Sequence, residues 1–147
     1  MLKTFSNKGE ANAIPLNAEN INFNFTDLNN RSISESGSND AGKWIKFNDG
    51  TMITYQNVDI TLTVTENWAD SGVYVANYAT PISFPKIFQE PPEVQIDLKF
   101  KQGAGWRVDW ELPIVTTSTF KNIGMGRIGR HDSAKFVASI FAIGKWK

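Results

Sequence analysis

The chain has 147 residues, and its 15 Lys and Arg cancel its 15 Asp and Glu. No basic segment is clustered, so duplex nucleic acid is not an expected partner, because phosphate neutralisation requires grouped Lys and Arg. Cysteine is absent, which excludes disulfides, zinc–thiolate sites and thiol nucleophiles. Apolar residues at 41% and aromatics at 12% suffice for one packed domain with an appendage. No apolar run approaches the roughly 20 residues needed to span a bilayer, and no signal-peptide pattern follows Met1. A soluble product made in a cytoplasm, with no membrane partner, is expected.

Residues 1–13 are polar and read as an extended arm. A short helix is predicted next, within IPLNAENINFNFTDLNN. Asn17 suits an N-cap, Glu19 sits in the first turn, and Leu16 and Ile21 occupy hydrophobic-staple positions. Ala18, Ile21, Phe25 and Leu28 make one apolar stripe of two heptads. A helix this short must pack on something, either its own domain or a parallel bundle that ties subunits together. Residues 31–41, RSISESGSNDA, lack periodicity and are rich in Ser, Asn and Gly. They are expected to be a linker. The chain therefore divides into an arm and helix (1–30), a linker (31–41) and a main domain (42–147).

That domain opens on GKWIKFNDGTMITY, residues 42–55. Asp-Gly between alternating hydrophobic runs is a strong hairpin signal. With Asp49-Gly50 as a two-residue loop, Phe47 faces Met52, Ile45 faces Thr54 and Trp44 faces Tyr55. Ile45, Phe47, Met52 and Thr54 then share one face, and Trp44, Lys46, Ile53 and Tyr55 the other. Both faces are apolar, so each requires cover.

Clean alternation follows. Val58, Ile60, Leu62 and Val64 oppose Asp59 and three threonines. Val94, Ile96, Leu98 and Phe100 oppose charged and amide residues, and Trp106, Val108, Trp110 and Leu112 oppose Arg107, Asp109 and Glu111. Period two with one polar face marks antiparallel strands covering a core on one side. The last strand, 135–143, is apolar on both faces and is expected to be central or covered by another subunit. The predicted fold class is all-β: an antiparallel β-sandwich preceded by a short N-terminal α-helix and linker.

Chemical motifs are sparse. Gly124, Gly126 and Gly129 fit G-x-G-x-x-G, but no buried parallel strand precedes them and no amphipathic helix follows, so a glycine-rich loop between strands is the better reading. His131, the sole histidine, has Asp132 and Ser133 beside it in sequence, which does not make a triad. Asp109 and Glu111 lie on one strand face with Arg107, as an alternating solvated surface would, and no catalysis is expected. No ligand set at recognisable spacing suggests a metal, and no cofactor is expected. Trp44, Trp106, Trp110 and Trp146 sit on predicted strands and read as core or subunit contacts. Trp68 instead lies in the polar loop 66–72, where an indole beside Asn67 and Asp70 suits sugar stacking or folds back on the domain end. Tyr74 and Tyr78 share one face of the return strand.

W-I-K-F-N-D-G-T-M-I-T-Y at 44–55, Y-A-T-P-I-S-F-P-K-I-F at 78–88 and F-A-I-G-K-W-K at 141–147 resemble, in order and spacing, the C-terminal head domains of bacteriophage tail fibres and receptor-binding proteins. Gln56-Asn57 departs from that pattern, where relatives carry Gly or Trp-Gly, and leaves the bend after the hairpin open. P-L-N-A-E-N at 15–20 resembles the N-terminal attachment segment of phage baseplate and fibre proteins. The resemblance implies a homotrimeric, non-enzymatic virion tail component, assembled in the host cytoplasm. It would bind a bacterial surface polysaccharide and, through its N-terminal segment, other tail or baseplate proteins. A structural virion component (collar, head or baseplate) without a receptor, or a polysaccharide depolymerase, are the alternatives. Trp68, Asp70, Tyr74, Arg130, His131 and Asp132 are the candidate ligand-binding residues. Ala18, Ile21, Phe25, Leu28, Trp44 and Tyr55 are the candidate subunit contacts.

Overall fold

The computed structural model describes residues 18–109 and 111–147. The arm, the attachment segment, the Asn17 cap and Trp110 lie outside the described residues, as do the side chains of Glu19, Ala18 and Ile21. One helix, α1 (Ala18–Arg31), precedes the strands β1 (Ile33–Asn39), β2 (Gly42–Phe47), β3 (Thr51–Val64), β4 (Glu66–Asn67), β5 (Val73–Tyr78), β6 (Ile82–Ser83), β7 (Glu93–Phe100), β8 (Trp106–Arg107), β9 (Ile114–Val115), β10 (Thr119–Lys121), β11 (Ile123–Ile128) and β12 (His131–Lys145). They form a five-stranded sheet β1-β2-β3-β12-β7, a three-stranded sheet β6-β10-β9 and a four-stranded sheet β4-β5-β11-β8. Every described strand pair is antiparallel.

The core follows from the alternation. Met52, Ile60 and Val64 of β3, Phe136, Ala138, Ile140 and Ala142 of β12, and Ile96 of β7 are buried on one face of the large sheet. Ile82, Phe84, Phe88, Phe120, Ile123 and Met125 cover that face from the smaller sheets and their connections, in a single hydrophobic cluster. The Phe84 ring meets Phe88 edge-on at 5.3 Å and stacks on Phe120 at 5.7 Å. β12 lies between β3 and β7, the first of the two arrangements, central or covered by another subunit, that its two apolar faces predict. The bend left open at Gln56-Asn57 does not occur, since β3 runs unbroken through it.

Four expectations are corrected. The presumed linker is β1, an exposed edge strand paired with β2. Its sequence shows no alternation because backbone hydrogen bonds hold it rather than a buried face. The hairpin is present with its register moved by one: Lys46 pairs with Met52, Ile45 with Ile53, Trp44 with Thr54 and Lys43 with Tyr55. Asn48 joins the turn, Gly50 N–H donates to Phe47 O at 3.1 Å, and Gly50 adopts φ +87°. This is a three-residue loop with its last residue left-handed, which glycine tolerates best. One residue of slip exchanges the faces of β2, so Lys46 points inward and Ile45 outward. The strand expected over 106–112 is limited to β8, and Leu112 is exposed. Finally, the glycine run 124–129 is mostly strand β11, not a loop.

Candidate binding surface

Two loops that are distant in sequence meet at one end of the sandwich. Residues 67–72 connect β4 to β5, and residues 127–132 lead from β11 into β12. Register pairs Ile128 with Val73 and His131 with Val64. Gly129 N–H donates to Gly72 O at 3.4 Å, and Thr63 Oγ1 donates to Asp132 O at 2.9 Å.

The first loop is held by its own backbone and polar side chains. Ser71 N–H and Oγ both donate to Trp68 O, at 3.0 and 2.5 Å, and Gly72 N–H donates to Asn67 Oδ1 at 3.1 Å. Ala69 and Asp70 take positive φ of 49° and 53°. For residues with a Cβ this is a strained conformation, and such strain concentrates at functional sites. The Trp68 side chain makes none of these bonds and is 56% exposed.

In the second loop, Arg130 donates from Nε and Nη2 to Asp132 Oδ1 at 3.1 and 3.0 Å. Ser133 N–H donates to His131 Nδ1 at 3.1 Å. The folding of the sheet thus brings Trp68, Asp70, Arg130, His131 and Asp132 to one end. Tyr74 is not presented with them; it is half-buried and packs against the core together with Tyr78. Among the described residues no group of three His, Asp or Glu side chains could hold a metal ion, and no helix is long and apolar enough to cross a membrane.

The outer face of the five-stranded sheet has a different character. Register aligns Ile45, Ile53 and Ile143 in one row, and Tyr55 with Phe141 in the next. Ile45, Tyr55, Phe141 and Ile143 are 36–44% exposed. Below them the face turns polar. Tyr55 Oη and Ser139 Oγ both donate to Asn57 Oδ1, at 3.0 and 2.8 Å, and Lys101 pairs with Asp59 at 2.6 Å. Of the other candidate subunit contacts, Phe25 and Leu28 are exposed on α1 at 66% and 51%. Trp44 instead lies on the inward face of β2, its indole lying against Gly37 and donating to Glu35 Oε1 at 3.2 Å.

The opposite end, at the hairpin turn, holds a cluster that the sequence did not reveal. Lys46 is buried, with Nζ 2.7 Å from Glu35 Oε2 and 4.8 Å from the Trp146 ring. The hydrogen bonds from Lys46 and then Trp44 hold the Glu35 carboxyl below its ordinary range. Asp49 is lowered likewise, chiefly by the Thr51 backbone N–H. Trp146 Nε1 donates to Phe47 O, and Trp146 N–H to Gly50 O, each at 3.0 Å. The only sequence signal for this cluster was a lysine alternating with apolar residues on a strand facing the core.

No protein-family model and no curated protein matches the chain. Solved structures do. An N-truncated R1-type pyocin tail fibre superposes with a TM-score of 0.50 at 12% identity, over 88% of this chain and 98% of that one. A longer C-terminal fragment of the P. aeruginosa R1 pyocin fibre gives 0.51 at 14% identity, over 96% of this chain and 39% of the fragment, so the chain spans well under half of it. At such identities the likeness is one of fold, and the chain is an all-β protein similar in architecture to these tail-fibre chains.

Proposed function

We propose that the chain is the head of a phage tail-fibre or receptor-binding protein, a homotrimer that attaches a virion to a bacterial surface glycan. The observation that carries this reading is the paired loop end: an exposed indole at Trp68, held on a strained and internally bonded loop beside Asp70, Arg130, His131 and Asp132. A rigid sandwich displaying varied side chains at its end is how loops carry recognition, and an apolar ring among polar groups suits a sugar. The likeness to pyocin tail fibres supports the same reading.

The apolar rows on the outer face of the large sheet supply the surface for self-association. Their rim of Asn57, Asp59, Ser139 and Lys101 is already hydrogen-bonded or ion-paired internally. Trimerisation repeats one weak site three times, and simultaneous engagement raises avidity without any new contact. The function is binding rather than chemistry. Asp109 is paired to Arg107 at 2.8 Å, so one of the two carboxylates that a glycosidase would need is held in a local ion pair. The N-terminal segment joins other tail or baseplate proteins, which places the chain in the virion tail.

The test is adsorption of the purified protein to a panel of bacterial strains, with its mass in solution measured alongside. Binding by a species of three chains supports the reading. A monomer of about 16.4 kDa at micromolar concentration removes the trimer. Folded protein that adsorbs to no strain points to a structural virion component instead. Phe141→Glu should release monomers while leaving the fold intact.

A further inference from the structure

The outer face of the four-stranded sheet carries an exposed indole outside the two end loops. Register aligns Glu66, Val75, Gly126 and Trp106 in one row across β4, β5, β11 and β8. The next row holds Asn77 opposite Gly124, whose carbonyl accepts from Val108 N–H at 3.1 Å. The alternation of Trp106 reads as a core or subunit contact, yet its indole does not point into the core. Its strand partner Gly126 explains why it does not: a Cβ there would lie 3.1 Å from Trp106 Nε1 and 2.8 Å from Val108 Cγ2. The bare backbone lets the indole lie against the sheet from outside, and Trp106 is left 43% exposed. Val75, in the same row, is 3% exposed yet belongs to none of the main core cluster.

Beside this platform stands a polar pair. Asn77 Nδ2 donates to Glu111 Oε2 at 2.5 Å. That bond fixes an exposed carboxylate and leaves Glu111 Oε1 and the second Asn77 N–H for another molecule. A carboxylate acceptor and an amide donor side by side match a sugar hydroxyl, which donates to one and accepts from the other. The neighbouring indole offers a flat apolar surface to the ring carbons. Charge narrows the class. Asp109 is neutralised by Arg107, whereas Glu66 and Glu111 have no ion-pair partner among the described residues. Phosphate- or uronate-bearing chains would be repelled.

We propose that Trp106, Glu111 and Asn77 form a sugar-binding subsite for neutral glycans, separate from the loop end. The proposal rests on the receptor-binding reading and adds to it a second position and a substrate class. It also agrees with assembly through the opposite outer face, because the four-stranded sheet then faces away from the subunit contacts.

The test is titration of the full chain with neutral trisaccharides of glucose, galactose and N-acetylglucosamine, with a glycerol-phosphate oligomer as the anionic control. Binding is read from the indole N–H resonances. At least one neutral sugar should shift the Trp106 signal, and the phosphate oligomer should not. Trp106→Ala and Glu111→Ala should each weaken binding at least about tenfold, and Trp106→Phe should keep most of it. Glu111 is exposed, so its variant remains informative if Trp106→Ala disturbs the sheet. Sugar binding that leaves the Trp106 resonance unmoved overturns the proposal, as does an unchanged affinity in Glu111→Ala. Adsorption of wild type and both alanine variants to the same strains with equal affinity overturns the subsite and leaves the receptor-binding reading standing. Absence of adsorption by wild type together with no sugar binding overturns both.

Discussion

The two ends of the sandwich are built on opposite plans. At the hairpin end, segments far apart in sequence converge on one turn. Trp146 N–H and Nε1 reach Gly50 O and Phe47 O, Asn48 N–H reaches Ser32 O, Asp49 N–H reaches Asn30 O, and Lys145 Nζ reaches Asp49 O. The side chains there serve the fold. At the loop end, local bonds hold the backbone and a single cross-loop bond, Gly129 to Gly72, is described between the two loops. The large side chain at its tip, Trp68, is left to solvent. An end closed by long-range contacts has little freedom to vary its residues. An end closed locally can change its side chains at small cost to stability, which is the requirement of a surface that recognises something.

The largest expected effect lies at the hairpin end. Trp146→Ala removes the indole hydrogen bond to Phe47 O, a half-buried indole and the ring over Lys46, and should cost about 2–4 kcal/mol in urea unfolding. Gly50→Ala comes next. Its φ of +87° disfavours any residue with a Cβ, and that Cβ would approach Lys147 O to 3.2 Å. A loss of about 1–2 kcal/mol is expected.

Glu35→Gln tests the same end by pH. The folded pKa of Glu35 lies below its ordinary value of 4.5. The stability it contributes is therefore complete above that value and is lost as pH falls through the lowered folded value. Melting temperatures measured from neutral to acid pH should fall less steeply in the variant than in wild type; identical slopes would show that Glu35 is not coupled to folding. The smallest effect on stability is expected at the other end, where Trp68→Ala should change it by no more than about 0.5 kcal/mol while lowering adsorption to cells. If Trp68→Ala unfolds the protein as Trp146→Ala does, the contrast between the ends fails.

What the sequence determined by itself were the strands whose two faces see different environments. β3, β7 and β12 were legible because alternation is imposed wherever one face is buried, and β12 read as central or covered by another subunit because both its faces are apolar. Tertiary structure decided whatever depends on a neighbour. β1 carries no alternation, since an edge strand needs only a partner's backbone groups. The register of β2 turned on whether Asn48 belonged to strand or turn, a one-residue choice that local propensity does not resolve but that sends Lys46 inward to Glu35 and Trp146. Trp106 alternates like a core residue and lies outside because Gly126, twenty positions away in sequence, leaves room for it on the other face. The candidate loops were separately legible as polar loops, but their meeting was not. Only the pairing of β5 with β11 and of β3 with β12 brings them to one end, and strand pairing is a long-range choice made by the whole core.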